Sequence, residues 1–374
     1  MIIAVNTRLL LKDKLEGIGW FTFETLKRIT AANPGHRFIF IFDRPFDPQF
    51  VFPGNVTPVV VSPPARHPVL WYLWFDIQLP RILKKYRADL FLSPDGYLSR
   101  RTKVPQLAVI HDINFVHRPK DLPWLASKYL NRFFPQFARI ARRIATVSEY
   151  SKADICRSFG ITPEKIDVVY NGINTLFTPT SEAEQTAARQ QFSGGEPFFL
   201  FVGALNPRKN IAGLLQAFEQ FCQSSETRVK LLIVGGKMYR TGEIFQVWQQ
   251  MQFREEVIFT GRLSADDLHQ VLGAARALVF VPFFEGFGIP VIEAMSAGVP
   301  VICSNVTSLP EVGGEAVCYV DPARPGEIAQ AMLKVSSDEA FRREMIRRGF
   351  QRKALFSWEL TAQKLWECME KTVR

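Results

Sequence analysis

Two carboxylates frame the stretch richest in chemistry. Glu285-Gly286-Phe287-Gly288-Ile289-Pro290-Val291-Ile292-Glu293 follows a short apolar run, 277–281, and leads into a helix-like stretch, 290–297. It reads as a strand-to-helix turn. Pro290 suits a first helical turn, where its missing N–H costs nothing. Gly286 and Gly288 let backbone approach a ligand closely. The unsatisfied N–H groups of a helix starting near Gly288 and Ile289 suit a diphosphate. A carboxylate accepts hydrogen bonds from two neighbouring hydroxyls. Glu285 before the phosphate site and Glu293 one turn inside the helix therefore suit a nucleotide sugar, one carboxylate for the hexose and one for the ribose. The plain alternative is a buried turn with two surface glutamates. The glycines and the strand-to-helix context favour the ligand.

Other stretches could complete such a site. Gly203-Ala204-Leu205-Asn206-Pro207-Arg208-Lys209-Asn210 lies between an apolar run and a helix-like stretch. Arg208 could grip a diphosphate as a fork and Lys209 as a point charge; an isolated Arg-Lys pair is equally an ordinary solvated loop. Thr260-Gly261-Arg262-Leu263 also follows a strand-like run, and Gly261 would admit a nucleobase edge to the backbone. His111-Asp112 closes the run 107–111. A His there points toward the ligand edge of a parallel sheet, or it is a structural His bonded to Asp112, and residue type does not choose between these. Residues 10–20 read as a long loop ending Glu16-Gly17-Ile18-Gly19-Trp20, with a helix from about Phe21. The third glycine of a dinucleotide fingerprint would fall on Thr22, so Gly17 and Gly19 read instead as a flexible loop at the mouth of a cleft.

These residues need a scaffold, and the chain supplies a repeating one. Apolar runs rich in Val, Ile, Leu and Phe alternate with amphipathic stretches of ten or more residues, the pattern of βαβ units and buried parallel sheets. The first series of strands is expected at 2–5, 37–42, 56–61, 90–93, 107–111, 144–147 and 166–169. Its main helices are expected at 21–32, 69–86, 123–142 and 148–159. A polar linker, 178–196, follows, part of it (182–192) able to be helical. A second series has strands at 198–202, 229–234, 257–260, 277–281, 300–303 and 316–320. The fold class is α/β, with two doubly wound parallel sheets and a ligand cleft between them. The domains are 1–176, joined by a C-terminal helix at 357–374 that Trp358 and Trp366 anchor, and 177–356.

Composition excludes several classes. The 374 residues are 47% hydrophobic and 22% charged, which argues against disorder. No apolar run reaches the roughly 18 residues of a spanning helix. The start, Met1-Ile2-Ile3-Ala4-Val5, reads as a buried strand rather than a signal peptide, because Asn6 and Arg8 interrupt it. The five cysteines are scattered without a C-x-x-C pair, as expected of reduced thiols in the cytoplasm. The net charge of +10 is uneven. Residues 1–175 hold 25 basic and 14 acidic side chains, and the remainder 21 and 22.

The ordered set of motifs resembles the retaining glycosyltransferases of family 4, which have the two-Rossmann GT-B architecture. It runs through Gly17-Ile18-Gly19, His111-Asp112-Ile113, Val147-Ser148-Glu149, Tyr170-Asn171-Gly172-Ile173, Asn206-Pro207-Arg208-Lys209-Asn210, Gly261-Arg262-Leu263 and Glu285 to Glu293. The subgroup it looks most like contains bacterial mannosyltransferases of surface polysaccharides. The resemblance implies a hexosyl donor, GDP-mannose first and UDP-linked sugars next, and a glycan or lipid-linked acceptor, with no other cofactor. It implies that Glu293 holds the ribose and that Glu285 and Gly286, Phe287, Gly288 and Ile289 hold the sugar and diphosphate. Lys209 and then Arg208 would meet phosphate, Gly261 and Leu263 the base, and His111 the donor sugar, while Gly17 and Gly19 would close over phosphate and acceptor. Ala204 stands where many relatives carry an arginine. The chain contains no D-x-D triplet, so no metal is expected.

Rival readings remain. A nucleotide-sugar epimerase of the same fold would need an acid/base set around the sugar. Nucleic-acid binding is not expected, because no recognised module accompanies the basic half. That charge better suits an anionic acceptor, or a peripheral position on the inner face of the plasma membrane. For the latter, 69–75 with Arg81, Lys84, Lys85 and Arg87, and Phe133, Phe134 and Phe137 among arginines, would dock on anionic lipid. The competing reading is that these rings face the core.

Overall fold

The computed structural model describes residues 1–12, 14–238 and 240–374. Two compact units emerge, Met1–Gly172 with Ser357–Arg374, and Ile173–Phe356. The first division falls four residues before the one read from sequence.

In chain order the first unit contains β1 (Ile2–Asn6), α1 (Gly17–Ala32), β2 (Arg37–Phe42), β3 (Val56–Val60), α2 (Pro68–Leu73), α3 (Leu79–Tyr86), β4 (Leu90–Ser93), β5 (Gln106–Val109), α4 (Asn114–His117), α5 (Trp124–Ile140), β6 (Arg143–Thr146), α6 (Glu149–Phe159) and β7 (Ile166–Val168). The second begins with α7 (Glu182–Ser193), β8 (Phe198–Val202), α8 (Ile211–Ser224), β9 (Lys230–Val234), α9 (Gly242–Gln250), β10 (Val257–Gly261) and α10 (Ala265–Ala274). It continues with β11 (Ala277–Phe280), α11 (Ile289–Ser296), β12 (Val301–Ser304), α12 (Leu309–Gly313), β13 (Cys318–Val320), α13 (Pro325–Ser337) and α14 (Glu339–Lys353). The final helix, α15 (Trp358–Val373), returns to the first unit and packs on α1.

Both sheets are parallel throughout the assigned pairs. The first has the order β3-β2-β1-β4-β5-β6-β7 and the second β10-β9-β8-β11-β12-β13. The order reverses between β1 and β4 and between β8 and β11. In an open α/β sheet the carboxyl ends of the strands at that reversal are where ligands bind. The strands are nearly continuous apolar runs because both faces are covered. Phe38, Phe40 and Phe91 are fully buried in the first unit, as are Phe198, Phe199 and Phe201 in the second.

Local chemistry places the helix ends. Ser148, Ser264, Asp338 and Ser357 cap their helices by accepting a backbone N–H. Within the polar linker 178–196, the part able to be helical, 182–192, lies in the helix α7. Ser181 and Glu184 form a reciprocal capping box on α7, and Gly194 ends it in left-handed backbone. The expected single helix at 69–86 is interrupted by a π turn at 74–78. No helix among the described residues is long and apolar enough to cross a membrane.

Two expectations about surfaces are corrected. The stretch 10–20 is not a loop up to Trp20, because α1 already begins at Gly17, with Trp20 N–H bonded to Glu16 O at 2.8 Å; Asp13 lies outside the described residues. Two glycines are poor helix formers, but in a first turn they break no hydrogen-bond ladder. Gly19 is needed for close approach: a Cβ there would sit 3.1 Å from the Leu9 carbonyl oxygen. Of the aromatic rings expected at lipid, Trp74, Phe75, Phe134 and Phe137 are buried in the core, and Trp71 and Phe133 pack against it. The exposed apolar side chains of these helices are Val69, Trp124, Leu125 and Ile140.

Candidate functional site

The reversal point of the second sheet gathers most of the residues singled out above. The loop after β8 carries Arg208 and Lys209, and the loop after β11 carries Glu285 to Gly288. Asn210 ties them down. It takes left-handed backbone, φ 56°, and its amide donates to Val281 O at 3.0 Å and Pro322 O at 2.7 Å. Phe283 N–H donates to Arg208 O at 3.0 Å. Ser308 Oγ donates to Glu285 O at 2.9 Å. Ser308 was missed in the sequence, and Asn210 was read only as part of the motif that carries Lys209.

An ion cluster results. Arg208 Nη1 donates to Glu285 Oε1 at 2.7 Å and to Phe284 O at 2.7 Å. Lys209 Nζ pairs with the same Glu285 oxygen and lies 4.7 Å from the Phe280 ring centre. All three side chains are largely buried. Burial alone would raise the Glu285 pKa, but Arg208 and Lys209 outweigh it and hold the carboxyl below its ordinary value. Gly288 caps α11 with φ 102°, and a Cβ there would meet Leu309 Cδ2 at 2.6 Å. Ile289 and Pro290 open that helix, and Phe287 is buried against Phe356 with ring centres 5.6 Å apart.

Glu293 lies in the second turn of α11, and burial pushes its carboxyl up to about 8. Among the described residues no side chain donates to it, in contrast to Glu285. Gly261 ends β10 in left-handed backbone, φ 73°, and its carbonyl accepts Gly235 N–H at 2.8 Å. Leu263 follows it, half-buried. Ala204, with no charge to offer, is half-buried at the carboxyl end of β8.

In the first unit His111 is half-buried just beyond β5. Its Nε2 lies 2.9 Å from Pro94 O, not on Asp112, which instead accepts from Asn114. A carbonyl only accepts, so Nε2 carries the proton and Nδ1 presents a lone pair. Burial lowers the His111 pKa against the opposing pull of Pro94, Asp112 and Asp95, so the ring is neutral near pH 7. Phe21 of α1 packs edge-on against it, ring centres 5.0 Å apart. Beside it, the reversal point of this sheet holds an unforeseen polar network. Asn6 donates to Asp95 at 2.8 Å, Arg8 Nε donates to Asp95 at 2.6 Å, and the Arg8 guanidinium lies 4.4 Å from the Tyr97 ring. The signal in the sequence was slight: Asn6 and Arg8 are the polar residues that end the first apolar run. Gly17 and Gly19 offer first-turn backbone of α1 rather than a flexible loop.

Comparison with known proteins bears on the family and the fold. The family model described as Glycosyl transferases group 1 matches residues 182–352, and the one described as Glycosyltransferase Family 4 matches residues 16–176. The chain is 31% identical over 363 residues to the O-antigen chain mannosyltransferase B of Escherichia coli, covering 93% of this chain and 94% of that one. Among solved structures, sucrose-phosphate synthase from Thermosynechococcus elongatus superposes with a TM-score of 0.78 at 20% identity, over 98% of this chain and 97% of the other. Anabaena HepE in complex with UDP-glucose superposes with a TM-score of 0.74 at 19% identity, over 99% of both chains.

Proposed function

The chain belongs to the GT-B glycosyltransferases of family 4, and on that premise we propose that it moves a hexose, with retention, from a nucleoside-diphosphate sugar to a glycan or lipid-linked acceptor of a surface polysaccharide. Mannose is the hexose favoured, because the relative matched over nearly the whole chain is an O-antigen mannosyltransferase. GDP-mannose is the first donor to test and a UDP-sugar the second, since a protein of the same fold binds UDP-glucose.

The observation that carries this reading is the cluster of Arg208, Lys209 and Glu285 beside the start of α11. In the reaction the bond from the sugar C1 to the diphosphate breaks, and negative charge grows on the leaving phosphate. Lys209, Arg208 and the N–H groups at Gly288 and Ile289 stabilise that charge without a metal ion. Glu285, held ionised, accepts hydrogen bonds from donor hydroxyls and keeps Lys209 in place. The acceptor hydroxyl attacks C1 on the face from which the diphosphate departs, and its proton passes to the leaving phosphate oxygen. Glu293 holds the ribose hydroxyls, and the Gly261 and Leu263 backbone lines the base. His111, neutral with an open Nδ1, accepts from a sugar hydroxyl. The first-turn amides at Gly17 and Gly19 serve phosphate and acceptor as a fixed helix start.

The test is Lys209→Ala beside Glu285→Gln. Each should lower kcat/KM by about a hundredfold or more, with the far-UV spectrum unchanged. Glu285→Ala is the poorer variant, since stranding two buried cations costs about 3–5 kcal/mol. Full activity in Lys209→Ala would overturn the assignment. For a lipid-linked acceptor, we place the protein peripherally on an anionic membrane. Exposed Trp124 and Leu125, with Lys128 Nζ 3.9 Å from the Trp124 ring centre, would engage it. Trp124→Ala with Leu125→Ala should abolish co-sedimentation with anionic liposomes.

A further inference from the structure

The connection from β4 to β5 holds no helix. It leaves the reversal point at Pro94 and crosses to the opposite end of the sheet, where β5 starts at Gln106. There a cavity of about 250 Å³ opens, with Arg100, Thr102, Lys103, Gln106, Ile140 and Arg142 in its wall and no carboxylate in its lining. Five residues of extended chain separate Gln106 from His111, roughly 16 Å at ~3.3 Å per residue. The cavity is therefore distinct from the site described above.

The wall is built rather than left slack. The Gln106 amide accepts Ser99 N–H at 2.9 Å and donates to Ser99 O at 2.8 Å. Gln106 O accepts Arg142 N–H at 2.9 Å, which fastens the end of α5 to the same strand start. Arg100 is fixed by Asp76, which the π turn at 74–78 buries. Its N–H donates to Asp76 Oδ1 at 2.7 Å and its Nε to Oδ2 at 2.9 Å, and its guanidinium lies 4.4 Å from the Phe133 ring centre. Thr102 Oγ1 accepts Val104 N–H at 3.2 Å, so its own hydrogen is left to donate.

Asp76 balances Arg100, but among the described residues no carboxylate pairs with Lys103 or Arg142. Two cations without a carboxylate partner, the exposed Lys103 (a point charge) and Arg142 (a planar fork), thus line a half-open hollow together with a hydroxyl donor. A dianion with several acceptor oxygens matches that set better than a monovalent carboxylate. We propose that this cavity binds a phosphomonoester group, carried by a soluble metabolite or by a lipid headgroup.

Inorganic phosphate is titrated calorimetrically into the full chain carrying Lys209→Ala, which silences the donor-side phosphate site. The same titration is run after adding Lys103→Glu with Arg142→Glu. A control carries Lys84→Glu with Lys85→Glu, the same charge change on exposed residues elsewhere in the unit. The cavity variant should bind phosphate at least about tenfold more weakly, and the control should match its parent. Lys103→Gln with Arg142→Gln repeats the test should the double reversal fail to fold. Phosphatidylcholine vesicles with phosphatidic acid or with phosphatidylserine, at equal surface charge, separate the sources. A preference for phosphatidic acid that the cavity variant loses assigns the group to lipid, and no preference assigns it to a soluble phosphomonoester. Absence of phosphate binding in the parent, or equal weakening in the cavity variant and the control, overturns the proposal.

Discussion

Glu285 and Glu293 are one residue type on the same loop-to-helix segment, yet the fold treats them oppositely. Glu285 faces two cations and stays ionised, while Glu293 has only burial and is pushed up to about 8. Glu293 is therefore largely neutral at pH 7 in the unliganded protein. A carboxyl raised in the folded state stabilises fully below its unfolded value, about 4.3, and that contribution is lost as pH rises through about 8. The thermal midpoint should fall between pH 5 and pH 8.5 more steeply in the wild type than in Glu293→Gln. In the proposed role of Glu293, ribose hydroxyls donate best to its carboxylate form, so nucleotide affinity should rise from pH 7 to pH 8.5 in the wild type relative to Glu293→Gln. Parallel pH profiles in calorimetry would show that Glu293 is not the group titrating.

At the level of elements, the proposed chemistry depends on how α11 is launched from β11. Gly288 provides the left-handed turn, and its missing Cβ leaves room for Leu309. Gly288→Ala should cost about 1–3 kcal/mol of stability, seen as a lower unfolding midpoint, and should weaken nucleotide binding with it. An unchanged midpoint would mean that the turn relaxes freely. The alternation of strands and helices was legible because parallel strands buried on both faces read as apolar runs. The motif loops were legible because each follows such a run. Strand order was not, since hydrophobicity does not say which strands pair; the convergence of Arg208, Lys209 and Glu285 became visible only with β8 beside β11. The glycine pair at Gly17 and Gly19 misled because glycine signals a loop unless it falls in a first helical turn. The rings at Phe134 and Phe137 lie close to arginines in sequence, but helical geometry turns the rings inward and Arg139 outward. Asn6, Arg8 and Asp95 had no spacing signature, because the fold joins them across strands nearly ninety residues apart in sequence.

Taken as a whole, the molecule divides its charge along its units. Ile173–Phe356 holds 18 basic and 19 acidic side chains, while the other unit holds 28 and 17. The proposed diphosphate site thus lies in the nearly neutral unit and relies on a few placed groups. The excess positive charge of the other unit suits the proposed anionic acceptor, the proposed membrane surface and the proposed phosphate cavity at the start of β5. Retaining hexosyl transfer is tested most directly by nuclear magnetic resonance of the product. The enzyme is given GDP-mannose, then UDP-sugars, with and without a lipid-linked acceptor. A retaining transferase should yield a new glycosidic bond with the anomeric configuration of the donor and one nucleoside diphosphate released per bond, both lost in Lys209→Ala. Inverted configuration, or conversion of the donor to its epimer in the absence of acceptor, would contradict retaining transfer.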